Sequence, residues 1–264
     1  MKNDLVILKD VTFGYRNHLI FEHLNLSIKK NKKISIMGIN GSGKTTLLKI
    51  LNGLLFLKKG KYIFLEQEIT KQKLKNKEFH LWFRKNNALL FQNSDFMFFH
   101  PVVYDDLAFS LRMCSINENL IQEKIFYWSD LFRITNLLKK NPIYLSGGER
   151  KKIALAMILI QDPELILLDE PFNHLDPVYT GHLIEIFNSI NKTILFTSHN
   201  FELSSEITEE FLILHPKHQV IFFGNINQFF SREDLIKKSE LYHIHSHKHK
   251  NLFHRHKHIH NWRF

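Results

Sequence analysis

Eight residues, Gly38-Ile39-Asn40-Gly41-Ser42-Gly43-Lys44-Thr45, constrain the fold more than any other part of the chain. Ile34-Ser35-Ile36-Met37 before them is a short β-prone run, and Thr45 to Leu55 after them reads as a helix. A glycine-rich turn between strand and helix, closing on Lys and a hydroxyl residue at this spacing, is a phosphate-binding loop. Gly38, Gly41 and Gly43 let main-chain amides close round phosphate oxygens, and the helix start adds the positive end of its dipole. Asn40 and Ser42 complete the loop. Lys44 is placed to neutralise β and γ phosphates, and Thr45, followed by Thr46, to ligate Mg²⁺. A nucleotide is the expected ligand.

The rest of the chain supplies a sheet for that loop. Val6 to Val11 and Leu24 to Ile28 read as strands on either side of a polar turn, with Lys61 to Leu65 and Ala88 to Phe91 as further strands. A polar, Lys-rich stretch, 70–84, lies between the last two. Tyr104 to Ile160 is mainly helical, interrupted near Asn141-Pro142 and at Ser146-Gly147-Gly148. Leu165 to Leu168 is a continuous apolar run of the kind buried on both faces of a parallel sheet. A helix over Thr180 to Ile190 leads to a strand, Thr193 to Thr197. Phe211 to Leu214 and Val220 to Phe223 close the pattern as strands, and Arg232 to Leu241 as a short helix. Strands alternating with helices make this an α/β chain with a parallel sheet.

Asp169-Glu170 follows the buried strand directly. Two carboxylates at a strand end place Asp169 to hold Mg²⁺, directly or through water, and Glu170 to polarise an attacking water. Together with the phosphate-binding loop they point to hydrolysis of the nucleotide as well as binding.

About a hundred residues after the loop stands Leu145-Ser146-Gly147-Gly148-Glu149, which resembles the signature motif of ATP-binding cassette (ABC) ATPases. The resemblance extends over residues 1–240, with Glu149 where Gln is commoner. It implies an α/β P-loop NTPase cassette: a RecA-like parallel-sheet core, an antiparallel β subdomain and a helical signature subdomain over about 101–160. It further implies that Tyr15, in Phe13-Gly14-Tyr15, stacks on adenine, and that Gln92 senses Mg²⁺ and the γ phosphate. Asp176, in Asn173-His174-Leu175-Asp176, resembles the D-loop aspartate, and His199 the switch histidine that contacts the γ phosphate. Asn173 and His174 depart from the small residues usual there. Ser146, Gly147 and Gly148 form an anion-binding helix start that, in this family, faces the ATP of another subunit. One cassette per chain therefore implies a homodimer or a paired cassette subunit.

A single cassette with no stretch of 18 or more apolar residues resembles the ATPase subunit of a transporter, working on integral membrane partners from the cytoplasmic face of the inner membrane. Phe99-His100-Pro101-Val102-Val103-Tyr104-Asp105-Asp106-Leu107-Ala108-Phe109 resembles the stretch after the Q-loop in energy-coupling-factor importers of the cobalt and nickel type, where a transmembrane partner docks. Ser94, Phe96 and Met97 depart from that group. Lys9 and Asp10 interrupt the N-terminal apolar run, against a signal peptide. Cys114 is the one cysteine, so no internal disulfide is expected, and the cytosol is the expected compartment.

The net charge is +10, and half of it sits in residues 241–264, which contain Lys248, Lys250, Arg255, Lys257 and Arg263 and no acid. That segment also carries His243, His245, His247, His249, His254, His256, His258 and His260, in two period-two quartets. Neutral imidazoles at this density chelate Ni²⁺, Co²⁺, Cu²⁺ or Zn²⁺, and a flexible tail fixes no geometry to choose among them. The expectation is an ATP-hydrolysing subunit of an importer for a transition metal, nickel or cobalt. Two alternatives stand beside it: a vitamin or other micronutrient importer, and a soluble metal-storage or sensing protein with a regulatory cassette. The excess of Lys over Arg is read as genome composition, and no nucleic-acid partner is expected.

Overall fold

The structure, a computed structural model, describes residues 3–16, 18–249 and 252–259, with the backbone alone over 242–249 and 252–259. The N-terminal elements are β1 (Asp4–Tyr15), β2 (His18–Lys29), β3 (Lys33–Met37), α1 (Lys44–Leu51), β4 (Lys59–Phe64) and β5 (Gln67–Glu68). Next come α2 (Lys77–Asn86), β6 (Asn87–Leu90), α3 (Val103–Met113), α4 (Glu118–Leu131), α5 (Gly147–Leu159), β7 (Leu165–Leu168), α6 (Pro177–Ser189) and β8 (Thr193–Thr197). The chain ends with α7 (Phe201–Ser205), β9 (Glu210–Leu214), β10 (Val220–Asn225), α8 (Ile226–Phe230), α9 (Glu233–Ser239), β11 (Tyr242–His249) and β12 (Leu252–Ile259). Two compact units result, residues 1–69 with 195–264, and residues 70–194.

In the first unit an antiparallel sheet runs in the order β2-β1-β4-β5. Its register sets Val6 opposite Ile28 and Phe64, and Leu8 opposite Leu26 and Tyr62, so alternate residues share one buried apolar face. The Tyr62 hydroxyl donates to the Leu51 carbonyl (2.7 Å), which pins the end of α1 to this sheet. A second sheet pairs β3 in parallel with β9, and β9 antiparallel with β10. Over it pack Phe201, Phe211, Phe229, Ile226 and Leu235, the Phe201 and Phe211 rings stacked 5.9 Å apart. β3 is thereby held along one edge by β9, and with it the loop that leaves its C-terminal end.

In the second unit β6 and β7 are parallel, Asn87 opposite Leu165 and Leu90 opposite Leu168, and every residue of both strands is buried. Continuous apolar sequence suits a strand covered on both faces. Helices α3, α4 and α5 pack on one another, and α5 buries Ile153, Ala154, Leu155, Ala156, Ile158 and Leu159. The Tyr179 hydroxyl donates to the Phe132 carbonyl (3.0 Å), and His182 Nε2 lies 2.7 Å from the Leu131 carbonyl, tying α6 to the end of α4.

Several boundaries differ from the sequence reading. α1 stops at Leu51, where the chain turns through Gly53 at φ 65°, and does not reach Leu55. The Lys-rich stretch at 70–84 contains the start of α2, nucleated by Asn76, whose side chain accepts from the Phe79 amide (2.9 Å). α6 starts at Pro177, three residues early, because Asp176 caps it and proline suits the first helical position. Within 241–264, the described residues include the antiparallel pair β11 and β12. His260 lies outside the described residues, as do the side chains of the other seven tail histidines.

Candidate functional site: a phosphate loop, a carboxylate strand end and a capped helix start

The loop between β3 and α1 has its shape fixed by close approach and by a left-handed turn. A Cβ on Gly38 would lie 2.5 Å from Ser42 Oγ and 2.8 Å from the Leu214 carbonyl, so only glycine fits. Gly43, at φ 103°, takes a conformation that L side chains rarely adopt, and Phe21 closes the space where a Cβ would go. Lys44 is buried and its ammonium donates to the carbonyls of Gly38 (2.7 Å) and Ile39 (3.2 Å), bracing the loop from within.

No side chain caps the start of α1 at Gly43, and the buried Ser42 hydroxyl has no hydrogen-bond partner in the described structure. First-turn amides without a capping side chain, an orphaned hydroxyl and a lysine ammonium suit a polyphosphate. Thr46 Oγ1 lies 3.4 Å from the hydroxyl of Tyr15, whose ring is half-exposed and meets Phe13 edge-on. His199, exposed, follows β8, where the Ser198 amide donates to the Ile36 carbonyl (3.2 Å) and Asn200 begins α7. The first unit thus carries Tyr15, the whole loop, Thr46 and His199.

The second unit carries the remainder. Asp169 and Glu170, 4% and 7% exposed, leave the end of β7, where the Asp169 amide donates to the Leu90 carbonyl (3.0 Å). Glu170 sits at φ 48°, a strained conformation for a residue with a Cβ. Gln92 is exposed just beyond β6. The carboxylate of Asp169 and the amide oxygen of Gln92 are hard oxygen donors of the kind Mg²⁺ prefers, as is the Thr45 hydroxyl in the first unit. Among the described residues, no group of three or more His, Cys, Asp or Glu is gathered to hold a softer metal.

Ser146 opens α5 with a reciprocal capping box. Its hydroxyl accepts from the Glu149 amide (3.2 Å), while Glu149 Oε2 accepts from the Ser146 amide and hydroxyl, both at 2.8 Å. These bonds hold the Glu149 carboxyl below its ordinary pKa. Gly147 is open, and a Cβ on Gly148 would come within 3.0 Å of the His174 carbonyl, so the D-loop passes close to the signature. Asp176 caps α6 by accepting from the Tyr179 amide (2.8 Å), which lowers its pKa.

One group escaped the sequence reading. Arg150, Lys151 and Lys152 look like a solvated basic run, yet Arg150 and Lys151 both reach the 92–95 segment and Lys152 reaches α6. Arg150 Nε donates to Asp95 (2.6 Å), Lys151 Nζ to the Gln92 carbonyl (3.0 Å), and the Lys152 ammonium lies 3.7 Å from the Tyr179 ring centre. Lys151 is 1% exposed; burial pushes its pKa down, and the Asp169 and Glu170 carboxylates pull it back up.

Residues 21–173, most of the loop-to-D-loop span, match the family profile described as ABC transporter. The chain belongs to the ABC transporter family. It is similar to the nickel import ATP-binding protein LarO of Lactiplantibacillus plantarum, 32% identical over 82% of this chain and 91% of LarO. It is also similar to the energy-coupling factor transporter ATP-binding protein EcfA of Methanoculleus marisnigri, 30% identical over 90% of this chain and 85% of EcfA. The solved structure of cbiO1 from Clostridium perfringens, part of the ABC transporter complex cbiONQ, matches with a TM-score of 0.74 at 24% identity, covering 89% of this chain and 94% of cbiO1. That likeness shows the ABC cassette fold. The protein is an ABC-type ATPase, the ATP-binding subunit of an ABC transporter. No helix among the described residues is long and apolar enough to cross a membrane.

Proposed function

We propose that this ABC ATPase powers a membrane importer for a transition metal ion, nickel or cobalt, as a peripheral subunit on the cytoplasmic face. Its residues take the following roles. Tyr15 stacks on adenine; the Gly38–Thr46 loop and Lys44 hold the phosphates; Thr45, Asp169 and Gln92 hold Mg²⁺. Held by those residues, Mg²⁺ would supply neutralisation of phosphate charge. Glu170 accepts the proton of the attacking water, and His199 contacts the γ phosphate. Ser146, Gly147 and Gly148, with the D-loop aspartate Asp176, serve the ATP of a second cassette, either a second copy of this chain or a paired subunit.

The observation that carries the cargo reading is the tail. In the register of β11 and β12, His243 is opposite His258, His245 opposite His256, and His247 opposite His254. Residues directly opposite in an antiparallel pair lie on the same face, as do residues two apart along a strand. Six histidines therefore share one face of the ribbon. The name of LarO, a nickel import ATP-binding protein, supports the same reading, and that of EcfA supports an energy-coupling factor transporter. For an integral membrane partner, support comes from Phe96, Phe99, Ile143 and Tyr144 in the second unit, apolar and strongly exposed, Phe99 at 78% and Tyr144 at 86%.

Metal uptake by cells with and without the gene tests the cargo: loss of Ni²⁺ or Co²⁺ accumulation is the expected result, and intact metal uptake with a lost micronutrient would move the reading to a vitamin importer. The tail has its own test. Deleting residues from Tyr242 onward should abolish tight Ni²⁺ binding by calorimetry and leave ATP turnover unchanged. In the full chain, the same binding should weaken as pH falls through about 6.5, where imidazoles take up protons. Equal Ni²⁺ affinity in the truncated protein would remove the tail from metal handling.

A further inference from the structure

We propose that Lys151 is a positioning residue for ATP hydrolysis: its buried ammonium holds the main-chain carbonyl of Gln92 and ties the signature helix to the segment that carries the Gln92 side chain. The inference rests on Gln92 acting at the nucleotide, as proposed above.

A lysine with 1% exposure is rare unless its charge is partnered, because removing an ammonium from water is costly. Lys151 Nζ is 3.0 Å from the Gln92 carbonyl, and the carboxylates of Asp169 and Glu170 act on it electrostatically. The acceptor is the carbonyl of the very residue whose side chain is assigned to Mg²⁺. Fixing a residue's main chain limits where its side chain reaches, so the position of α5 sets the reach of Gln92. Arg150, the preceding residue on α5, adds a second tether three residues further along the same segment, through its 2.6 Å bond to Asp95. Consecutive helical residues point about 100° apart, so the two side chains grip the 92–95 segment from different directions.

Both tethers line one cavity of about 450 Å³, together with Gln92, Asp95, Gly147 and His174. The first turn of α5 also contains Ser146, Gly147 and Gly148. A displacement of that helix start is therefore transmitted to Gln92 through Lys151, which links the residues assigned to one nucleotide with those assigned to the other. No redox or covalent step is involved; the residue acts on geometry, through Gln92.

The test is a double-mutant cycle in the full chain, reading kcat, KM for ATP, Mg²⁺ dependence and thermal midpoint. Lys151→Met should lower kcat by about tenfold to a hundredfold, the scale of a misplacement near 1 Å, while KM for ATP stays within about threefold. Lys151→Arg, which keeps the charge and the donors, should recover a large part of the rate. Gln92→Ala should also be slow, and Gln92→Ala combined with Lys151→Met should be no slower than Gln92→Ala alone.

An additive loss in the double variant, or Lys151→Met turning over at the wild-type rate, overturns the proposal. A change in thermal midpoint alone, with kcat intact, assigns Lys151 to stability and overturns it as well. Wild-type turnover by Gln92→Ala would instead defeat the role given to Gln92. Should Lys151→Met not fold, Lys151→Gln, too short to reach the carbonyl, is judged by the same criteria.

Discussion

Exchanging Glu170 for Gln should lower steady-state ATP turnover by about 10²- to 10⁴-fold, the usual contribution of a positioned general base, with ATP binding preserved. The two effects separate because the phosphate cradle is built from other residues: the loop from Gly38 to Thr46, its lysine and its uncapped helix start. Gln matches the shape of Glu and can hydrogen-bond to water, but it cannot accept the water's proton. Glu170 is 7% exposed and sits in a left-handed backbone conformation. Turnover and equilibrium nucleotide binding, measured on the same preparation, decide the matter. A variant that hydrolyses ATP at a rate within threefold of the parent would relieve Glu170 of the role.

Lys44→Ala should fail one step earlier, at binding. The ammonium donates to two carbonyls of its own loop and is the loop's only side-chain cation, so its removal takes away both the internal brace and the positive charge meant for the β and γ phosphates. Charge-assisted hydrogen bonds contribute about 1.5–3 kcal/mol, equivalent to roughly 10- to 150-fold in affinity. Calorimetry with ATP and Mg²⁺ should show that loss, and hydrolysis should fall with it. Lys44→Arg is a poor substitute, because a planar guanidinium does not fit two carbonyls arranged round a compact ammonium. Wild-type affinity in Lys44→Ala would show that the loop amides alone hold the nucleotide.

The catalytic pieces that sequence made legible are those whose chemistry is local. The glycine loop, the apolar strand before Asp169-Glu170 and the signature run each declare their shape within a few residues, because turn, strand and cap are decided by neighbours. Lys151 was illegible for the opposite reason. In sequence, Arg150-Lys151-Lys152 reads as an exposed basic patch; only tertiary packing buries the middle residue and gives it the carbonyl of Gln92, 59 positions away. The approach of Thr46 to Tyr15 across 31 positions is likewise a product of the fold. α2 was missed because its flanks are polar and Lys-rich; Phe79, Trp82 and Phe83 do stand at helical spacing, but Phe83 is its one fully buried residue, so the stripe is short and weak. The positive φ of Glu170 had no sequence signal at all, since glutamate is no turn former.

The capping box at Ser146 has a further consequence. A helix start ordinarily offers its amides and hydroxyl to whichever anion arrives. Here a resident anion is already installed: the Glu149 carboxylate holds both the amide and the hydroxyl of Ser146, and those bonds keep it ionised. A phosphate drawing on Ser146, and not on the Gly147 and Gly148 amides alone, would have to displace that carboxylate. Compared with a neutral glutamine at position 149, that competition should weaken phosphate binding at this helix start, so Glu149→Gln is expected to tighten it.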